Sequence, residues 1–293
     1  MMANEQITAL GYSYDAQQRV ECNLCGPRGH AVEVTDRDRY GYPATCVTCR
    51  CCGLGYLNPR LSATQYAHFY SKIYRPLVSA YHGRRIDAET VQLEQRGYAA
   101  ELAAFLLPQL PSSPATILDV GGSTGVVARI LAQQFNARAT VLDPSPDELA
   151  VARAAGMETV AGLAEEFDPG ERRWDLVLLC QTIDHLLDVR GTVATLRQMT
   201  ADGGRAFVDI VDVDVLLRRT GDIERVVKID HPYYLTAPTA TAYFALAGFT
   251  IVAERLSDDG HRGFVLAPGP CTEPDWAALQ IAAAQFLARA LNG

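Results

Sequence analysis

The segment Thr116–Gly125 constrains the fold of this chain more than any other, and it reads Thr-Ile-Leu-Asp-Val-Gly-Gly-Ser-Thr-Gly. An apolar run typical of a buried strand leads into a glycine-rich turn, and the helix-like residues Val126 to Phe135 follow. In this arrangement a ligand can approach bare backbone at the start of a helix. Asp143 ends the next apolar run, and its carboxylate can accept hydrogen bonds from both hydroxyls of a ribose. The sequence therefore predicts a nucleotide-type pocket.

The spacing of the glycines bears on the identity of the cofactor. The dinucleotide fingerprint G-x-G-x-x-G requires glycines at fixed offsets. A fingerprint that starts at Gly121 fails at Ser123 and Val126, and one that starts at Gly122 fails at Thr124. The register thus opposes a nicotinamide dinucleotide. Taken alone, Asp143-Pro-Ser-Pro is also compatible with a simple turn and helix start, because Asp, Pro and Ser favour such places.

The pattern hydrophobic-hydrophobic-Asp-x-Gly-x-x-x-Gly resembles the first motif of class I S-adenosylmethionine-dependent methyltransferases, D-x-G-x-G-x-G, with Ser123 in place of the middle glycine. The resemblance implies that the turn faces the methionine and ribose part of the cofactor and that Asp143 holds the ribose. It also implies contacts after the third and fourth strands. The resulting set of cofactor-binding residues is Asp119, Gly121, Gly122, Ser123, Thr124, Gly125, Asp143, Pro144, Gly162, Leu163, Cys180 and Gln181.

Most of the cysteines crowd into one N-terminal region, which favours a metal site over disulfides in a reducing compartment. Cys22-Asn-Leu-Cys25-Gly and Cys49-Arg-Cys-Cys52-Gly form two C-x-x-C-G turns with the spacing of a zinc ribbon. We predict Cys22, Cys25, Cys49 and Cys52 as ligands of a structural Zn²⁺, since four thiolates leave no open coordination position. Cys46-Val-Thr-Cys49 is an alternative second pair without the trailing glycine.

The resemblance extends to nearly the whole chain. It includes the ribbon and the two segments that follow it, Gly53-Leu-Gly-Tyr-Leu-Asn-Pro-Arg60 and Tyr66-Ala-His-Phe-Tyr70. The chain is similar to bacterial methyltransferases that carry an N-terminal zinc-binding domain. That group includes C-methyltransferases of nucleotide-linked deoxysugars and members found with sugar or natural-product genes. The resemblance implies a small-molecule acceptor, without specifying oxygen, nitrogen or carbon as the methylated atom.

Strand-like and helix-like segments alternate from Thr116 onward, which predicts an α/β fold with a doubly wound, Rossmann-like sheet. Two closing strands around Asp258-Asp-Gly260 predict a C-terminal antiparallel hairpin, as in methyltransferases. We expect a zinc ribbon over residues 1–60 and a helical linker or lid over 61–110. The methyltransferase domain would cover residues 111–268, and an amphipathic helix residues 269–293.

Two histidines are candidate catalytic bases, because neutral imidazole can take a proton near neutral pH. His185 follows the fourth predicted strand, where ligands of open α/β sheets bind, and it is preferred. It could instead be a cap or packing residue at a helix start. His231 is the second choice, and it lies in a predicted insertion, residues 212–234, that would form the acceptor wall.

The net charge and the lengths of the apolar runs indicate which classes of binding partner are disfavoured. The formal charge of −8 over 293 residues disfavours nucleic acid, whose binding depends on Lys and Arg. No apolar run is long enough to cross a bilayer, and the N-terminus lacks the pattern of a secretory signal. We therefore expect a cytoplasmic protein without a membrane partner. The terminal helix could also form a homodimer.

The sequence thus predicts S-adenosylmethionine-dependent methyl transfer to a small polar metabolite, such as a nucleotide sugar or natural-product intermediate. Two alternatives remain open. A nicotinamide-dependent sugar oxidoreductase would share the fold and the ribose acid. A non-catalytic scaffold would use the ribbon and the terminal helix for protein contacts.

Overall fold

The protein is described here by a computed structural model that covers residues 2–27, 30–86 and 88–292. The helices are α1 (Met2–Ala9), α2 (Ala63–Lys72), α3 (Tyr74–His82), α4 (Ala88–Leu106), α5 (Val126–Phe135), α6 (Pro146–Ala154), α7 (Val189–Met199), α8 (Val213–Thr220), α9 (Ala237–Ala247) and α10 (Trp276–Asn292). The strands are β1 (Ala31–Arg37), β2 (Pro43–Cys49), β3 (Gly55–Leu57), β4 (Thr116–Val120), β5 (Arg138–Asp143), β6 (Glu158–Ala161), β7 (Trp174–Leu179), β8 (Thr200–Val211), β9 (Tyr233–Tyr234), β10 (Phe249–Leu256) and β11 (His261–Pro268).

Contacts between residues divide the chain into two compact units, each built from segments that are far apart in sequence. The ribbon unit consists of Met1–Val91, Asp212–Thr239 and Asp275–Gly293. The sheet unit consists of Gln92–Val211 and Ala240–Pro274. The predicted domain boundaries at residues 60, 110 and 268 stay predictions.

A seven-stranded sheet in the order β10-β11-β8-β7-β4-β5-β6 forms the centre of the sheet unit. The strands from β8 to β6 are parallel, whereas β11 pairs antiparallel with both β8 and β10. Ile117 and Leu118 are both buried, as expected where helices cover the two faces of a parallel sheet. The predicted α/β fold with a doubly wound, Rossmann-like sheet and a C-terminal antiparallel hairpin is confirmed.

The parallel arrangement determines where a site can form in the sheet unit. β4, β5 and β7 are in register side by side, so that their carboxyl ends meet at one edge. Ligands of open α/β sheets bind beyond this edge. The glycine turn follows β4, Asp143 ends β5, and Cys180 follows β7. The topology therefore brings the segments with the predicted cofactor residues to the same edge.

A four-stranded sheet in the order β1-β2-β3-β9 forms the ribbon unit together with its helices. β9 comes from the predicted insertion at residues 212–234, and it pairs antiparallel with β3 through Gly55 and Tyr234. A Cβ atom on Gly55 would lie 2.9 Å from Cβ of Tyr234, so the close pairing requires glycine at this position. The same insertion contains α8, which the sequence analysis did not predict.

The C-terminal helix α10 packs within the ribbon unit. Leu279, Ala283 and Phe286 form its buried face, and a Cβ atom on Gly53 would lie 3.3 Å from Ala283. Arg289 donates two hydrogen bonds to Oδ1 of Asp214 in α8. Across the residues described, every helix is too short or too polar to span a lipid bilayer.

Candidate active site and metal centre

The turn between β4 and α5 has a backbone that few side chains tolerate. Gly121 and Gly125 have φ angles of 71° and 74°, in the left-handed region where glycine is favoured. The amide of Gly121 donates to the carbonyl of Leu142 at 2.7 Å, and that of Gly125 donates to Gly122 at 2.8 Å. These bonds tie the turn to β5 and close it on itself, so its shape is established by the protein alone.

Ser123 occupies the position where the family motif has glycine, and it too is left-handed, with φ of 51°. A residue with a Cβ atom loses free energy in this conformation, on the order of 1 kcal/mol. Two hydrogen bonds offset the cost. The Ser123 amide donates to Oδ2 of Asp143 at 2.9 Å, and its hydroxyl donates to the Glu148 carboxylate in α6. The departure from the motif therefore keeps the turn geometry.

Glycine is also required in the turn because neighbouring groups approach closely. A Cβ atom on Gly121 would lie 2.7 Å from the Thr182 methyl, and one on Gly122 would lie 2.6 Å from Cγ of Asp119. At Gly121 and Gly122 the turn thus presents backbone without side chains. Thr124, which lies two residues before α5, is partly exposed. A ligand can therefore approach the backbone of these glycines closely at the start of α5.

Asp119 lies at the end of β4 and is fully buried, with its Oδ2 atom lacking a hydrogen-bond partner. Burial raises the pKa of this carboxyl to about 7, the amide of Ala128 opposes the rise, and the charges of Asp143 and Asp209 add to it. A buried carboxylate oxygen without a hydrogen-bond partner is costly. Its placement under Gly122 suits a cationic ligand, because positive charge nearby would favour the ionised form.

Asp143 ends β5 and holds two main-chain groups. Oδ2 accepts from Ser123, and Oδ1 accepts from the Ser145 amide at 2.8 Å. Burial raises the pKa of this carboxyl, whereas the two amide donors lower it. Each oxygen has a further lone pair for a hydroxyl donor. The fixed carboxylate therefore fits the hydroxyl pair of a ribose, and Pro144 next to it is exposed.

The predicted adenine segment follows β6. The Gly162 amide donates to the carbonyl of Asp143 at 3.2 Å, which joins this segment to the end of β5. Leu163 is 42% exposed, so its side chain is accessible to an aromatic ring. Glu165 accepts from the Leu187 amide at 3.0 Å, so it supports a neighbouring loop.

The segment after β7 carries Cys180, Gln181 and His185. Gln181 is left-handed, with φ of 51°, and its amide donates to Oδ1 of Asp209 at 2.6 Å. His185 is half-buried and closes a short 3₁₀ turn, and its amide donates to the Thr182 carbonyl at 3.0 Å. Asp209 contacts this segment and Thr182 lies against Gly121, and neither residue was named from the sequence. Their partners are distant in sequence, which local spacing does not reveal.

Four cysteine sulfurs come together in the ribbon unit. The Sγ atoms of Cys22, Cys25, Cys49 and Cys52 all lie within 4.8 Å of one another, and the pairs Cys22–Cys52 and Cys25–Cys49 are 3.5 Å apart. Such a compact tetrad of soft donors has the composition of a structural zinc site. Cys46 is buried outside the tetrad, and Cys51 is not part of it either. The structure therefore groups Cys49 with Cys52 rather than with Cys46.

The two C-x-x-C-G turns have the same local structure. The amide of Gly26 donates to the carbonyl of Cys22, and that of Gly53 donates to Cys49, both at 2.8 Å. Both glycines are left-handed, with φ of 67° and 80°. The glycines thus allow each chain segment to turn sharply behind its second cysteine, as the sequence indicates.

His231 precedes β9 in the ribbon unit and is buried. Its Nε2 atom lies 3.2 Å from Nζ of Lys228 and 3.5 Å from Oδ2 of Asp230. The backbone of this segment is held by the ribbon: Ile229 donates to the Asp38 carboxylate, and Tyr70 donates to the Asp230 carbonyl. His231 therefore sits in a charged and well-supported environment.

Comparisons with known proteins bear on the identity of the fold. A family model described as a methyltransferase domain matches residues 91–254, more than half of the chain. A ubiquinone biosynthesis O-methyltransferase of Methylobacterium sp. (strain 4-46) is 32% identical over 111 residues, which cover 35% of this chain and 43% of the relative. The enzyme of that name from Methylocella silvestris is 33% identical over 101 residues, 31% of this chain and 38% of the relative. The chain thus spans less than half the length of these relatives.

Solved structures share the fold at low sequence identity. The magnesium protoporphyrin IX methyltransferase from Synechocystis PCC 6803, with bound SAH, has a TM-score of 0.52 and 13% identity, and the match covers 70% of this chain and 99% of that one. A protein from Pyrococcus horikoshii OT3 has a TM-score of 0.52 and 18% identity over 60% of this chain and 91% of its own. The chain belongs to the methyltransferase domain family, the S-adenosylmethionine-dependent methyltransferases.

Proposed function

We propose that this protein transfers a methyl group from S-adenosylmethionine to a small polar metabolite, such as a nucleotide-linked sugar or a natural-product intermediate. The observation that carries the proposal is the bond between Ser123 and Asp143. It fixes a bare glycine turn beside a carboxylate, the combination that holds an adenosine with an attached methionine.

The chain's own residues divide the work as follows. Asp143 accepts the ribose hydroxyls, Gly121 to Gly125 pack against the ligand through their backbone, and Gly162 and Leu163 lie along the adenine. When bound, S-adenosylmethionine supplies a methyl group on a positively charged sulfur. The protein chiefly aligns the acceptor with that group and excludes water.

His185 is proposed as the base that removes the acceptor's proton. It lies in the segment after β7, within the same unit as the glycine turn. A neutral imidazole is suited to this step near neutral pH. The names of the relatives, ubiquinone biosynthesis O-methyltransferases, favour a hydroxyl acceptor, for which such a base is needed. His231 stays the second candidate.

The cysteine tetrad is proposed to hold one structural Zn²⁺. Four thiolates close the coordination sphere, so the ion would stabilise the ribbon unit and would not activate a substrate. A cytoplasmic location, the exclusion of nucleic acid and membranes as partners, and a homodimer through α10 stay predictions.

The test combines ligand binding and turnover. Calorimetry should show binding of S-adenosylmethionine and of its product S-adenosylhomocysteine with dissociation constants in the micromolar range. This corresponds to a binding free energy on the order of −8 kcal/mol. Methyl transfer from labelled donor would then be assayed on hydroxylated quinone precursors and nucleotide-linked sugars. A protein that binds NAD and not S-adenosylmethionine would be an oxidoreductase. A protein that binds neither would be a scaffold, and both results would overturn the proposal.

A further inference from the structure

The segment that follows β7, residues 180–185, adopts a conformation that it cannot easily hold alone. Gln181 has a φ angle of 51°, in the left-handed region that residues with a Cβ atom rarely adopt. Such a conformation persists only where surrounding contacts enforce it. The segment carries two predicted cofactor contacts and the candidate base His185. Whatever holds Gln181 therefore bears on the site.

Asp209 provides the contact that holds Gln181. It lies near the carboxyl end of β8 and is 2% exposed. Its Oδ1 atom accepts from the Gln181 amide at 2.6 Å, and its Oδ2 atom accepts from the hydroxyl of Tyr98 in α4 at 2.8 Å. Hydrogen bonds to a charged acceptor are stronger than neutral ones. One buried carboxylate thus connects α4 to the left-handed residue.

The charges around Asp209 fit this role. Burial raises the pKa of its carboxyl, whereas the Gln181 and Tyr98 donors lower it, as do the nearby basic groups His261 and Arg255. The side chains of Arg255 and His261 belong to the neighbouring hairpin of β10 and β11. The carboxylate is therefore supported by two donors and by nearby basic groups.

The conformation of the segment reaches the glycine turn. Thr182 follows Gln181, and its methyl group packs against Gly121. A Cβ atom on Gly121 would lie 2.7 Å from this methyl group, too close for an ordinary contact. The carbonyl of Thr182 accepts from the His185 amide, and Asp184 accepts from the Val211 amide at 3.0 Å. A shift of Gln181 would thus displace both the residue packed on the glycine turn and the candidate base.

We propose that Asp209 and Tyr98 are positioning residues for the methyl-transfer site. They set the left-handed conformation of Gln181, and through it they place Thr182 against the glycine turn and orient His185. The inference rests on the proposed function, because that function assigns this segment to the cofactor and the base. It extends the site to two residues that lie outside every motif of the sequence.

The test compares Asp209→Ala with a matched control, Asp175→Ala. Asp175 lies near the opposite end of β7, where one carboxylate oxygen accepts from the amides of Ala115 and Thr116 and from the Thr116 hydroxyl. Both variants lose bonds to main-chain amides and a hydroxyl within the same sheet. If Asp209 has a merely structural role, the two variants should show similar hydrogen exchange at residues 181–185 and similar cofactor affinity. If Asp209 positions the segment, only Asp209→Ala should change these two properties strongly.

Two measurements are made on each full-length variant. In Asp209→Ala, amide hydrogen exchange at residues 181–185 should accelerate, and the dissociation constant of S-adenosylmethionine should rise about tenfold or more, as for loss of a buried charge-assisted bond. In Asp175→Ala the melting temperature should fall, with both readouts changing less than about twofold, within the usual variation of distant substitutions. Equal exchange at 181–185 in the two variants would overturn the inference.

Two milder variants cover the case in which Asp209→Ala does not fold. Asp209→Asn keeps an acceptor for the Gln181 amide, so it should restore most of the exchange protection and cofactor affinity. Tyr98→Phe removes one bond and should give a smaller loss, about two- to fivefold in affinity, as expected for a single neutral donor. Wild-type exchange at 181–185 in Tyr98→Phe would exclude Tyr98. If the wild-type protein binds no S-adenosylmethionine, the proposed function fails, whereas the exchange comparison still decides whether Asp209 holds the segment.

Discussion

The amide of Ser123 donates a hydrogen bond to Oδ2 of Asp143 at 2.9 Å, which joins the turn after β4 to the acid after β5. The bond makes the glycine turn and the carboxylate one preorganised unit within the sheet. Because the protein's own hydrogen bonds hold these groups in place, binding need not supply the free energy of ordering them. The same bond stabilises a serine in a conformation that glycine usually adopts.

Replacing Asp143 with Ala should weaken the binding of S-adenosylmethionine. The variant loses the acceptor for the ribose hydroxyls and also releases the amides of Ser123 and Ser145. We expect affinity to fall at least tenfold, about 1.4 kcal/mol or more, by calorimetry. Asp147→Ala is the matched control, since Asp147 is exposed in the first turn of α6. Equal affinities in the two variants would remove Asp143 from the site.

Gly125→Ala should destabilise the protein more than Gly156→Ala. Both glycines are left-handed, with φ of 74° and 87°, so both variants incur the backbone cost of about 1–2 kcal/mol. Only at Gly125 would the new Cβ atom meet neighbours, the Met157 side chain and Cγ2 of Val141 at 3.0 Å. Overpacking should add about 1–3 kcal/mol, measured as the free energy of unfolding in urea. Similar losses would show that the turn accommodates a methyl group.

Cys49→Ser should abolish metal binding, whereas Cys51→Ser should leave it intact. Cys49 belongs to the tetrad of sulfurs, and Cys51 lies outside it although it is in the same turn. Elemental analysis of the wild-type protein should give about one Zn²⁺ per chain, and the Cys49 variant should lose both the ion and thermal stability, because metal binding free energy stabilises the fold. Retention of zinc by Cys49→Ser would contradict the ligand assignment.

The affinity for S-adenosylmethionine should rise as the pH increases through about 7 and level off above it. Burial raises the pKa of Asp119 to about 7, so the free protein carries a proton there below that pH. A cationic ligand favours the ionised carboxylate, and binding therefore releases the proton. Titration calorimetry between about pH 5 and pH 9, roughly two units on either side of this midpoint, would follow the change. The pH dependence of the affinity should disappear in Asp119→Asn. If it persists in that variant, another titrating group is responsible for it.

Several features of the fold and of the candidate site could be predicted from the sequence because they depend on local spacing. The glycine turn, Asp143 and the two C-x-x-C-G turns each lie within one short segment, where a few residues determine the backbone. The alternation of strand and helix likewise predicted the sheet. Helix α8 was missed because its eight residues, Val213–Thr220, lie in a segment that appeared polar and β-branched.

Other features depend on residues that are distant in sequence. The contact of Asp209 with Tyr98 spans 111 positions, and that with Gln181 spans 28. Thr182 fills space next to Gly121 although neither residue indicates the other. Such pairs are set by how strands and helices pack, and the chemistry of the individual residue does not identify its partner.

The ribbon's small sheet is completed by β9, whose first residue, Tyr233, comes more than 170 positions after the end of β3 at Leu57. During synthesis on the ribosome, the thiol-bearing segment therefore emerges long before the strand that covers its edge. An unpaired edge is a template for association with other chains. A fragment limited to the first 60 residues of the chain would consequently expose the backbone of β3. Transfer of the ribbon to another protein would require the β9 segment as well.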